Sequence, residues 1–323
     1  MQALRVHDFA EGLRLDTLPD ATPGPGEVCV QVRACGVSFF DMLISRGGYQ
    51  WCPPLPFVVG SEFAGVVDAL GNGAQGSFAV GDRVCGSTSI GAWTQRLCVP
   101  VNAIHRIAPQ ASIEEAAVLC MPYGTSLYAL RERGRLQPGE TVLVLGATGS
   151  VGHAAVQLAR ALGARVIGAV TGAAKRAAAL EAGAHEVVDL ADEGWKDRVK
   201  ALAGSRGVDV VFDPVGGALM DTAFRTLGWG GRHLVVGFAG GQIGSLRGNL
   251  TIVKGASLIG VDIRQFRERE PEAARQLLHD LAALHQDGRI VPRIAARFAL
   301  ERHAEAFATA QDRHTLGRVL LLP

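Results

Sequence analysis

Residues 141–152 read TVLVLGATGSVG, and this stretch decides the fold of the chain. Its first five residues are apolar or β-branched, which is typical of a buried strand. Glycines follow at a spacing of three, at Gly146, Gly149 and Gly152. Apolar residues then recur at helical spacing, at Val151, Ala155, Val156, Leu158 and Ala159. A strand, a glycine-spaced turn and a helix in this order predict the phosphate-binding turn of a dinucleotide-binding fold.

Each part of this turn has a chemical role. Gly149 lets the backbone approach a pyrophosphate, and Gly152 lets the helix pack closely on the strand. The N–H groups of Ser150 and Val151 offer donors at the positive end of the helix dipole. We therefore expect Thr148, Gly149, Ser150 and Val151 to bind the phosphates of a cofactor.

Length and charge limit the class of protein. A chain of 323 residues exceeds what one hydrophobic core usually supports, which predicts two domains. The 32 basic and 31 acidic residues give a net charge of +1 without long runs of either sign, which favours a small-molecule partner over nucleic acid or a membrane. The first residues, MQALRVHDFAEGLRL, lack the apolar core of a signal peptide. We expect a cytoplasmic protein.

The six cysteines lie at positions 29, 35, 52, 85, 98 and 120. None forms a Cys-x-x-Cys pair, which argues against a zinc knuckle or a redox dithiol. We interpret most of them as small buried hydrophobic residues of a reduced compartment. Cys35 and Cys52 lie closest to the expected site and are the ones to test for reactivity.

The first hundred or so residues predict a compact, mainly antiparallel β domain, because short strand-like runs alternate with Gly and Pro. The runs are 27–33, 63–69, 82–85 and 95–99. Predicted helices over 114–119 and 125–133 then lead to the glycine turn. This change of pattern places a domain boundary at residue 122.

Strands and helices alternate from residue 141 onward, with predicted strands at 141–146, 165–170, 185–189, 208–213, 232–237 and 256–261. This rhythm predicts an α/β domain with a doubly wound, six-stranded parallel sheet. Later elements make no further βαβ unit: helix 272–285, strand 294–300, helix 302–311 and strand 318–322. We therefore predict a first domain over 1–122, a dinucleotide-binding domain over 123–262 and a return to the first domain over 263–323.

The second strand of this domain indicates which cofactor binds. It ends in Val170, where domains that prefer NAD usually carry Asp or Glu for the ribose hydroxyl. Thr171, Lys175 and Arg176 instead supply a hydroxyl and two cations for a 2′-phosphate. This pattern predicts NADPH rather than NADH. The alternative is that the two cations form an ordinary solvated helix face.

Seven motifs occur in a fixed order, at residues 23–28 (PGPGEV), 36–41 (GVSFFD), 56–65 (PFVVGSEFAG), 80–84 (VGDRV), 149–152 (GSVG), 213–217 (DPVGG) and 235–238 (VVGF). With them the chain resembles the medium-chain dehydrogenase/reductase superfamily, and within it the zinc-free quinone oxidoreductases related to zeta-crystallin. The resemblance implies a discontinuous GroES-like, mainly-β catalytic domain, an inserted Rossmann domain, a nicotinamide cofactor in the cleft, and a dimer.

The resemblance also predicts that zinc is absent. Zinc alcohol dehydrogenases of the superfamily have Cys and His where this chain has Ser38 and Ser61. A neutral hydroxyl is a poor zinc ligand, and Glu62 alone cannot hold the ion. The four-cysteine structural zinc lobe has no counterpart between Val84 and Val99.

The chain departs from this subgroup at three positions. Relatives commonly have Asn at the place of Ser38, often Tyr at that of Leu43, and His or Tyr at that of Leu190. Tyr49 matches the tyrosine of the subgroup and is expected to line the cleft over the nicotinamide. The alternative is that Tyr49 only packs on the prolines that follow it.

No Ser-His-Asp or paired-carboxylate constellation is visible, so the cofactor must supply the chemistry. A quinone or an α,β-unsaturated carbonyl suits such a site, because either accepts hydride and places negative charge on an oxygen. Candidates for steadying this oxygen are Ser38, Tyr49, Thr125 and Arg264, none of which is expected to be essential for proton transfer. The resemblance places the nicotinamide against Gly237, Phe238, Ala239, Gly260 and Val261.

Two other functions fit the sequence. An enoyl or 2-alkenal reductase would use the same scaffold for conjugate hydride transfer. A structural or regulatory protein that binds NADPH without turnover is also compatible, because a fold does not guarantee an activity. Relatives often dimerise through the sixth strands of two Rossmann sheets, and residues 256–261 are apolar enough for this pairing.

Overall fold

The glycine-spaced turn lies in the second of two units into which the chain folds. In the computed structural model, which describes all 323 residues, the first unit comprises Met1–Met121 and Pro292–Pro323, and the second comprises Pro122–Val291. The first change of unit therefore falls one residue from the predicted boundary at 122. The chain re-enters the first unit at Pro292, whereas the sequence analysis predicted that it would do so at residue 263.

The later return has a physical reason in the contacts that follow residue 262. The ring of Phe266 stacks on Tyr128, with centroids 4.2 Å apart. The Val291 N–H group donates to Gln157 Oε1 over 2.9 Å. Arg131 Nη1 donates to Asp280 Oδ2 over 2.8 Å. Residues 263–291 therefore belong with the helices of the second unit, which the missing βαβ pattern could not reveal.

The regular elements are numbered in chain order. The strands are β1 Gln2–Val6, β2 Leu13–Thr17, β3 Glu27–Val37, β4 Phe57–Val58, β5 Glu62–Leu70, β6 Arg83–Ser87, β7 Arg96–Pro100, β8 Ile104–Arg106, β9 Thr141–Leu145, β10 Arg165–Val170, β11 Glu186–Asp189, β12 Val208–Asp213, β13 Leu227–Val235, β14 Ser257–Gly260, β15 Ile294–Ala299 and β16 Arg318–Leu322. The α-helices are α1 Phe39–Ile44, α2 Ile113–Ala116, α3 Pro122–Leu127, α4 Ser150–Ala161, α5 Ala173–Glu181, α6 Trp195–Ala203, α7 Leu219–Phe224, α8 Asn249–Lys254, α9 Ile263–Arg269, α10 Pro271–Gln286 and α11 His303–Gln311. A π-helical segment, Tyr128–Arg133, continues α3. No helix combines the length and apolar character that a membrane span requires.

The second unit contains a six-stranded sheet in the order β11-β10-β9-β12-β13-β14. All of its strand pairs are parallel. All five residues of β9 are buried, as expected for the centre of a sheet covered on both faces. The strand order reverses between β9 and β12, which is the switch point where doubly wound sheets bind ligands. The predicted six-stranded Rossmann sheet is confirmed.

The first unit is a mainly antiparallel β structure. Its larger sheet runs β15-β16-β3-β5-β6-β8, with β7 paired to β3, and its smaller sheet runs β2-β1-β4. The last segment of the chain completes the larger sheet, because β16 pairs antiparallel with β3. Trp93 and Phe63 are fully buried in its core. The predicted GroES-like domain, closed by a return segment, is confirmed.

The cysteines are divided between paired and free. Cys29 and Cys98 lie opposite each other on β3 and β7 and form a disulfide, which the sequence analysis did not predict. Cys35, Cys85 and Cys120 are free and buried, whereas Cys52 is free and exposed. The antiparallel pairing of β3 with β7 brings the sulfurs of Cys29 and Cys98 together. The two residues are 69 positions apart in sequence, so their spacing did not indicate this pairing.

Candidate functional site

The turn after β9 packs as the sequence predicts. Gly146 has a φ of 59°, a left-handed conformation that glycine adopts without strain. An added Cβ at Gly152 would overlap the carbonyl oxygen of Gly146. Helix α4 therefore packs on the turn through backbone alone, and no side chain fits between them.

The opposite side of the turn is open. Gly149 is the N-cap of α4, and no side chain caps this helix. An added Cβ at Gly149 would have only the carbonyl oxygen of Gly146 as a neighbour, at 3.4 Å. Gly149 and Ser150 are exposed, and Thr148 and Val151 are half-buried. These residues fit a dinucleotide phosphate, because uncapped helix N-termini present N–H donors and a positive dipole end.

Helix α3 is fixed against α4 by side chains that the sequence reasoning missed. The hydroxyl oxygen of Ser126 lies 2.8 Å from the carbonyl oxygens of both Pro122 and Val151. Tyr123 donates through its hydroxyl to Gln157 Oε1 over 2.8 Å. Thr125, a predicted site residue, is half-buried on the same helix. The only indication of this packing in the sequence was that Tyr123 and Ser126 are polar residues among apolar neighbours of the helix.

The end of β10 carries the predicted 2′-phosphate residues together with a carboxylate from the next strand. Thr171 and Arg176 are exposed, and Lys175 is half-buried. Asp189, at the end of β11, accepts from the Gly172 N–H group over 3.2 Å. Backbone hydrogen bonds from Ala191 and Gly172, with the charge of Arg176, lower the pKa of Asp189. The sequence reasoning missed Asp189, because only the parallel pairing of β10 with β11 brings it here.

The carboxyl end of β12 is organised by a buried pair. Asp213 Oδ1 accepts from the N–H groups of Val215 and Gly216 over 2.9 and 2.8 Å. Its Oδ2 lies 3.0 Å from His233 Nε2, on β13, and both side chains are buried. Asp213 was recognised as part of a motif, whereas the role of His233 was missed. The pair holds the glycine-rich loop after β12 in place.

The predicted nicotinamide-side segments come together at this end of the sheet. Gly216 has a φ of 68°, and an added Cβ would lie 2.7 Å from the ring of Phe238. The Ala239 N–H group donates to the Pro214 carbonyl over 3.0 Å. Val261 donates to the Val235 carbonyl over 3.0 Å, directly after Gly260. Phe238 is 37% exposed, so this loop offers an apolar ring to a ligand.

The first unit holds a buried cluster around Ser38 and Asp41. Ser38 caps α1 by accepting from the Asp41 N–H group over 3.1 Å, and its hydroxyl donates to Asp41 Oδ2 over 2.6 Å. The hydroxyl oxygens of Ser38 and Ser61 lie 3.5 Å apart. Burial raises the pKa of Asp41, against hydrogen bonds from both serines and the charge of Arg318. The hydroxyl proton of Ser38 is therefore already donated within the protein.

Glu62, beside this cluster, forms a buried ion pair with Arg318 of β16. Its Oε2 also accepts from the Met121 N–H group over 3.2 Å. An added Cβ at Gly36 would overlap both side chains of the pair, so a larger residue there would have to displace the pair. The pair joins the central strands of the sheet to the last strand of the chain.

This donor set does not fit zinc. Ser38 and Ser61 are neutral hydroxyls, and the Glu62 carboxylate is already neutralised by Arg318. No group of three or more His, Cys, Asp or Glu side chains in the chain is placed to hold a metal ion. A zinc site needs thiolate, imidazole or free carboxylate ligands, and these positions do not supply them.

The remaining two predicted substrate residues differ in their availability. The ring of Tyr49 meets Phe40 edge-on, with centroids 4.9 Å apart, and its hydroxyl makes no hydrogen bond within the protein. Arg264 Nη1 donates to both carboxylate oxygens of Glu268, over 2.9 and 3.0 Å. Tyr49 is therefore free to bind a ligand, whereas Arg264 would first have to leave its ion pair.

Comparison with known proteins agrees with this geometry. The alcohol dehydrogenase GroES-like domain matches residues 24–109, and the zinc-binding dehydrogenase family matches residues 150–280. Quinone oxidoreductase-like protein 2 of Mus musculus is 38% identical over 309 residues, which cover 94% of this chain and 88% of the relative. The chain belongs to the quinone oxidoreductase family of the medium-chain dehydrogenase/reductase superfamily. The family predicted from the seven motifs is thus confirmed.

Solved structures of similar proteins share the whole fold. A mycobacterial protein in complex with NADPH superposes with a TM-score of 0.91 at 30% identity, with 100% of each chain covered. The quinone oxidoreductase of Thermus thermophilus, whose complex with NADPH was also solved, gives a TM-score of 0.88 at 29% identity, again with 100% of each chain covered. The family therefore includes proteins that bind NADPH on this fold.

Proposed function

We propose that this chain is an NADPH-dependent oxidoreductase that transfers hydride to a quinone without zinc. The observation that carries the proposal is the turn at Gly149, which is open on its ligand side and closed on its packing side. The NADPH complexes of two proteins with the same fold support the choice of cofactor.

The cofactor would be held by three groups of residues in the second unit. The turn residues Thr148, Gly149, Ser150 and Val151 bind its pyrophosphate through backbone N–H groups and the helix dipole. Thr171, Lys175 and Arg176 bind the 2′-phosphate. Gly237, Phe238, Ala239, Gly260 and Val261 would hold the nicotinamide. NADPH, when bound, supplies the hydride.

The protein's own side chains would steady the oxygen of the acceptor. Tyr49 is the best candidate, because its hydroxyl has no partner within the protein. Ser38 already donates its proton to Asp41, so it would contribute only by giving up that hydrogen bond and donating to the acceptor oxygen. Thr125 contributes a hydroxyl, and Arg264 contributes only if it leaves Glu268. Water or Tyr49 then protonates the reduced oxygen, and no single side chain is essential.

Steady-state assays with purified protein test this proposal. Benzoquinones and α,β-unsaturated ketones are compared as acceptors, with NADPH and with NADH as donors. We expect NADPH oxidation to be fastest with a benzoquinone. Faster conjugate reduction of enones would assign an enoyl or 2-alkenal reductase. Cofactor binding without turnover of any acceptor would assign a structural or regulatory protein.

The Tyr49→Phe variant tests the assignment of the proton donor. We expect turnover to fall by about tenfold or less, because water can replace a single hydroxyl as proton source. A loss of several orders of magnitude, with NADPH affinity unchanged, would show that Tyr49 is essential. NADPH affinity is measured in parallel as the control.

We also propose that the chain forms a homodimer through β14. This strand pairs only with β13, so its outer edge is unpaired, and its Leu258 is 43% exposed. Pairing with β14 of a second copy would provide hydrogen-bond partners for the unpaired backbone groups of this strand and would bury Leu258. Analytical ultracentrifugation tests this proposal: we expect a dimer that a Leu258→Lys substitution dissociates.

A further inference from the structure

A surface cavity of 590 Å³ lies at the amino-terminal end of the strands of the parallel sheet, and the glycine turn lies at their carboxyl end. The turn follows the carboxyl end of β9, whereas this cavity lies where β12 and β13 begin, beside the last turns of α6 and α8. Parallel strands all begin at the same end of the sheet, so the cavity and the glycine turn lie at opposite ends of the strands. The cavity is therefore separate from the proposed cofactor site. Its lining includes Lys200, Arg206, Asp209, Thr226, Trp229 and Lys254.

The charge of this lining is strongly unbalanced. Lys200, Arg206 and Lys254 carry positive charge, and none of them forms an ion pair within 4.0 Å. Asp209 is the one acid among the lining residues, and its Oδ2 accepts from the Thr141 N–H group over 2.8 Å. Partial burial and the charge of Lys200 lower the pKa of Lys254. Three cations around one cavity repel one another, and an anion among them would remove that repulsion.

The floor of the cavity is closely packed backbone. Gly207 has a φ of 74°, and an added Cβ there would lie 2.8 Å from the backbone of Gly228. An added Cβ at Gly228 would overlap the carbonyl oxygen of Arg206. The loop that carries Arg206 therefore rests directly on the first residues of β13. Close backbone packing therefore leaves no room for a side chain at Gly207 or Gly228.

One wall of the cavity is an indole ring. Trp229 is 87% exposed, which is unusual for so large an apolar side chain. Its ring lies over Gly255, where an added Cβ would be 2.5 Å from the ring. Gly255 has a left-handed φ of 55° at the end of α8, directly after Lys254. The indole of Trp229 therefore lies over the residue that directly follows Lys254.

We propose that this cavity binds a small molecule bearing a phosphate or pyrophosphate group, held by Lys200, Arg206 and Lys254 beside the indole of Trp229. A multiply charged phosphate group has enough acceptor oxygens to meet three cations, and Arg206 offers paired donors to two of them. A singly charged carboxylate would leave part of the positive charge uncompensated. The site is independent of hydride transfer.

Calorimetric titration with inorganic pyrophosphate tests the proposal on the full-length protein. We expect saturable binding, accompanied by a change in tryptophan fluorescence. Lys200→Ala and Arg206→Ala should each weaken binding by about tenfold or more, because each removes a charge-assisted hydrogen bond. Trp229→Phe should abolish the fluorescence change while the calorimetric signal persists. NADPH affinity should stay unchanged in all three variants.

Two control variants make the result decisive. Lys196→Ala removes a charge from the same helix, α6, outside the cavity lining. Gly149→Ala fills the phosphate position of the glycine turn. Both should leave pyrophosphate binding unchanged. Absence of saturable binding, an equal loss in Lys196→Ala, or a loss in Gly149→Ala alone would each overturn the proposal.

Discussion

The cluster around Ser38 and the turn at Gly149 are both motif regions, but they use their polar groups in opposite ways. In the cluster, the Ser38 hydroxyl donates to Asp41 and the Glu62 carboxylate pairs with Arg318. In the turn, no side chain caps the helix, and the space beside Gly149 is open. Ser38 and Glu62 are paired within the cluster, and Asp41 Oδ1 is buried there without a hydrogen-bond partner, whereas the turn has donors for a ligand.

This difference separates polar groups that stabilise the fold from those that bind. A buried polar group costs free energy unless it is paired, so the internal partners of Ser38 and Glu62 stabilise the fold without any ligand. The N-terminus of a helix is solvated without a ligand, so it can stay open at little cost. Loss of a partner in the cluster should therefore reduce stability, and a change at the turn should reduce affinity.

The largest effect is expected from Arg318→Met. This substitution leaves Glu62 as an uncompensated buried charge, which should lower the free energy of unfolding by about 3–5 kcal/mol. Arg302→Met is the control, because its pair with Glu305 is exposed to solvent and should contribute far less to stability than the buried pair. Chemical denaturation of both variants measures the difference. Equal losses would show that the Glu62–Arg318 pair is not a stabilising part of the cluster.

Two glycine substitutions separate packing from binding at the turn. Gly152→Ala forces α4 away from Gly146 and should lower the free energy of unfolding by about 1–3 kcal/mol. Gly149→Ala adds a methyl group at ordinary contact distance, so the melting temperature should stay nearly constant. Its NADPH affinity should nevertheless fall by at least about tenfold, because the methyl group occupies the phosphate position. Unchanged affinity in Gly149→Ala would contradict the assignment of the turn.

A smaller effect is expected at the 2′-phosphate residues. Lys175→Ala removes one charge-assisted contact, so the Kd for NADPH should rise by about tenfold. The Kd for NADH should stay unchanged, because NADH lacks the 2′-phosphate. Fluorescence titration with both cofactors measures the two values. An equal rise for NADH would mean that Lys175 acts on the fold and not on the phosphate.

The sequence predicted those features that depend on local pattern. The strand of residues 141–145 and the turn that follows it were readable from apolar runs and glycine spacing alone. The same is true of β16, whose predicted bounds of 318–322 match the structure. Local pattern also placed the first domain boundary within one residue.

The features that the sequence missed depend on pairing between distant segments. Asp189 reaches the loop after β10 only because β10 and β11 are neighbours in the sheet. His233 meets Asp213 because β12 and β13 pair in register, 20 residues apart in sequence. The return at Pro292 depends on side-chain contacts of α9 and α10 that have no periodic signature.

Asp41→Asn tests, through the pH dependence of stability, whether the cluster holds its charge at a cost. Asparagine keeps an acceptor oxygen for Ser38, so the cap survives. Burial raises the pKa of Asp41 above its ordinary 3.8, so the folded state binds its proton more tightly than the unfolded state. As the pH rises from 3.8 to the raised pKa, the wild type should therefore lose stability relative to the variant. The expected loss is about 1.4 kcal/mol for each pH unit between the two pKa values.

Asp189→Asn should show the opposite dependence, because the pKa of Asp189 is lowered in the folded state. Its carboxylate stabilises the fold above the ordinary pKa, and that contribution is lost as the pH falls through the lowered value. Denaturation curves between about pH 3 and pH 8 compare both variants with the wild type. If stability depended on pH with the same sign in both variants, the buried cluster would not destabilise the charge of Asp41. The contrast between the buried cluster and the exposed loop after β10 would then fail at this residue.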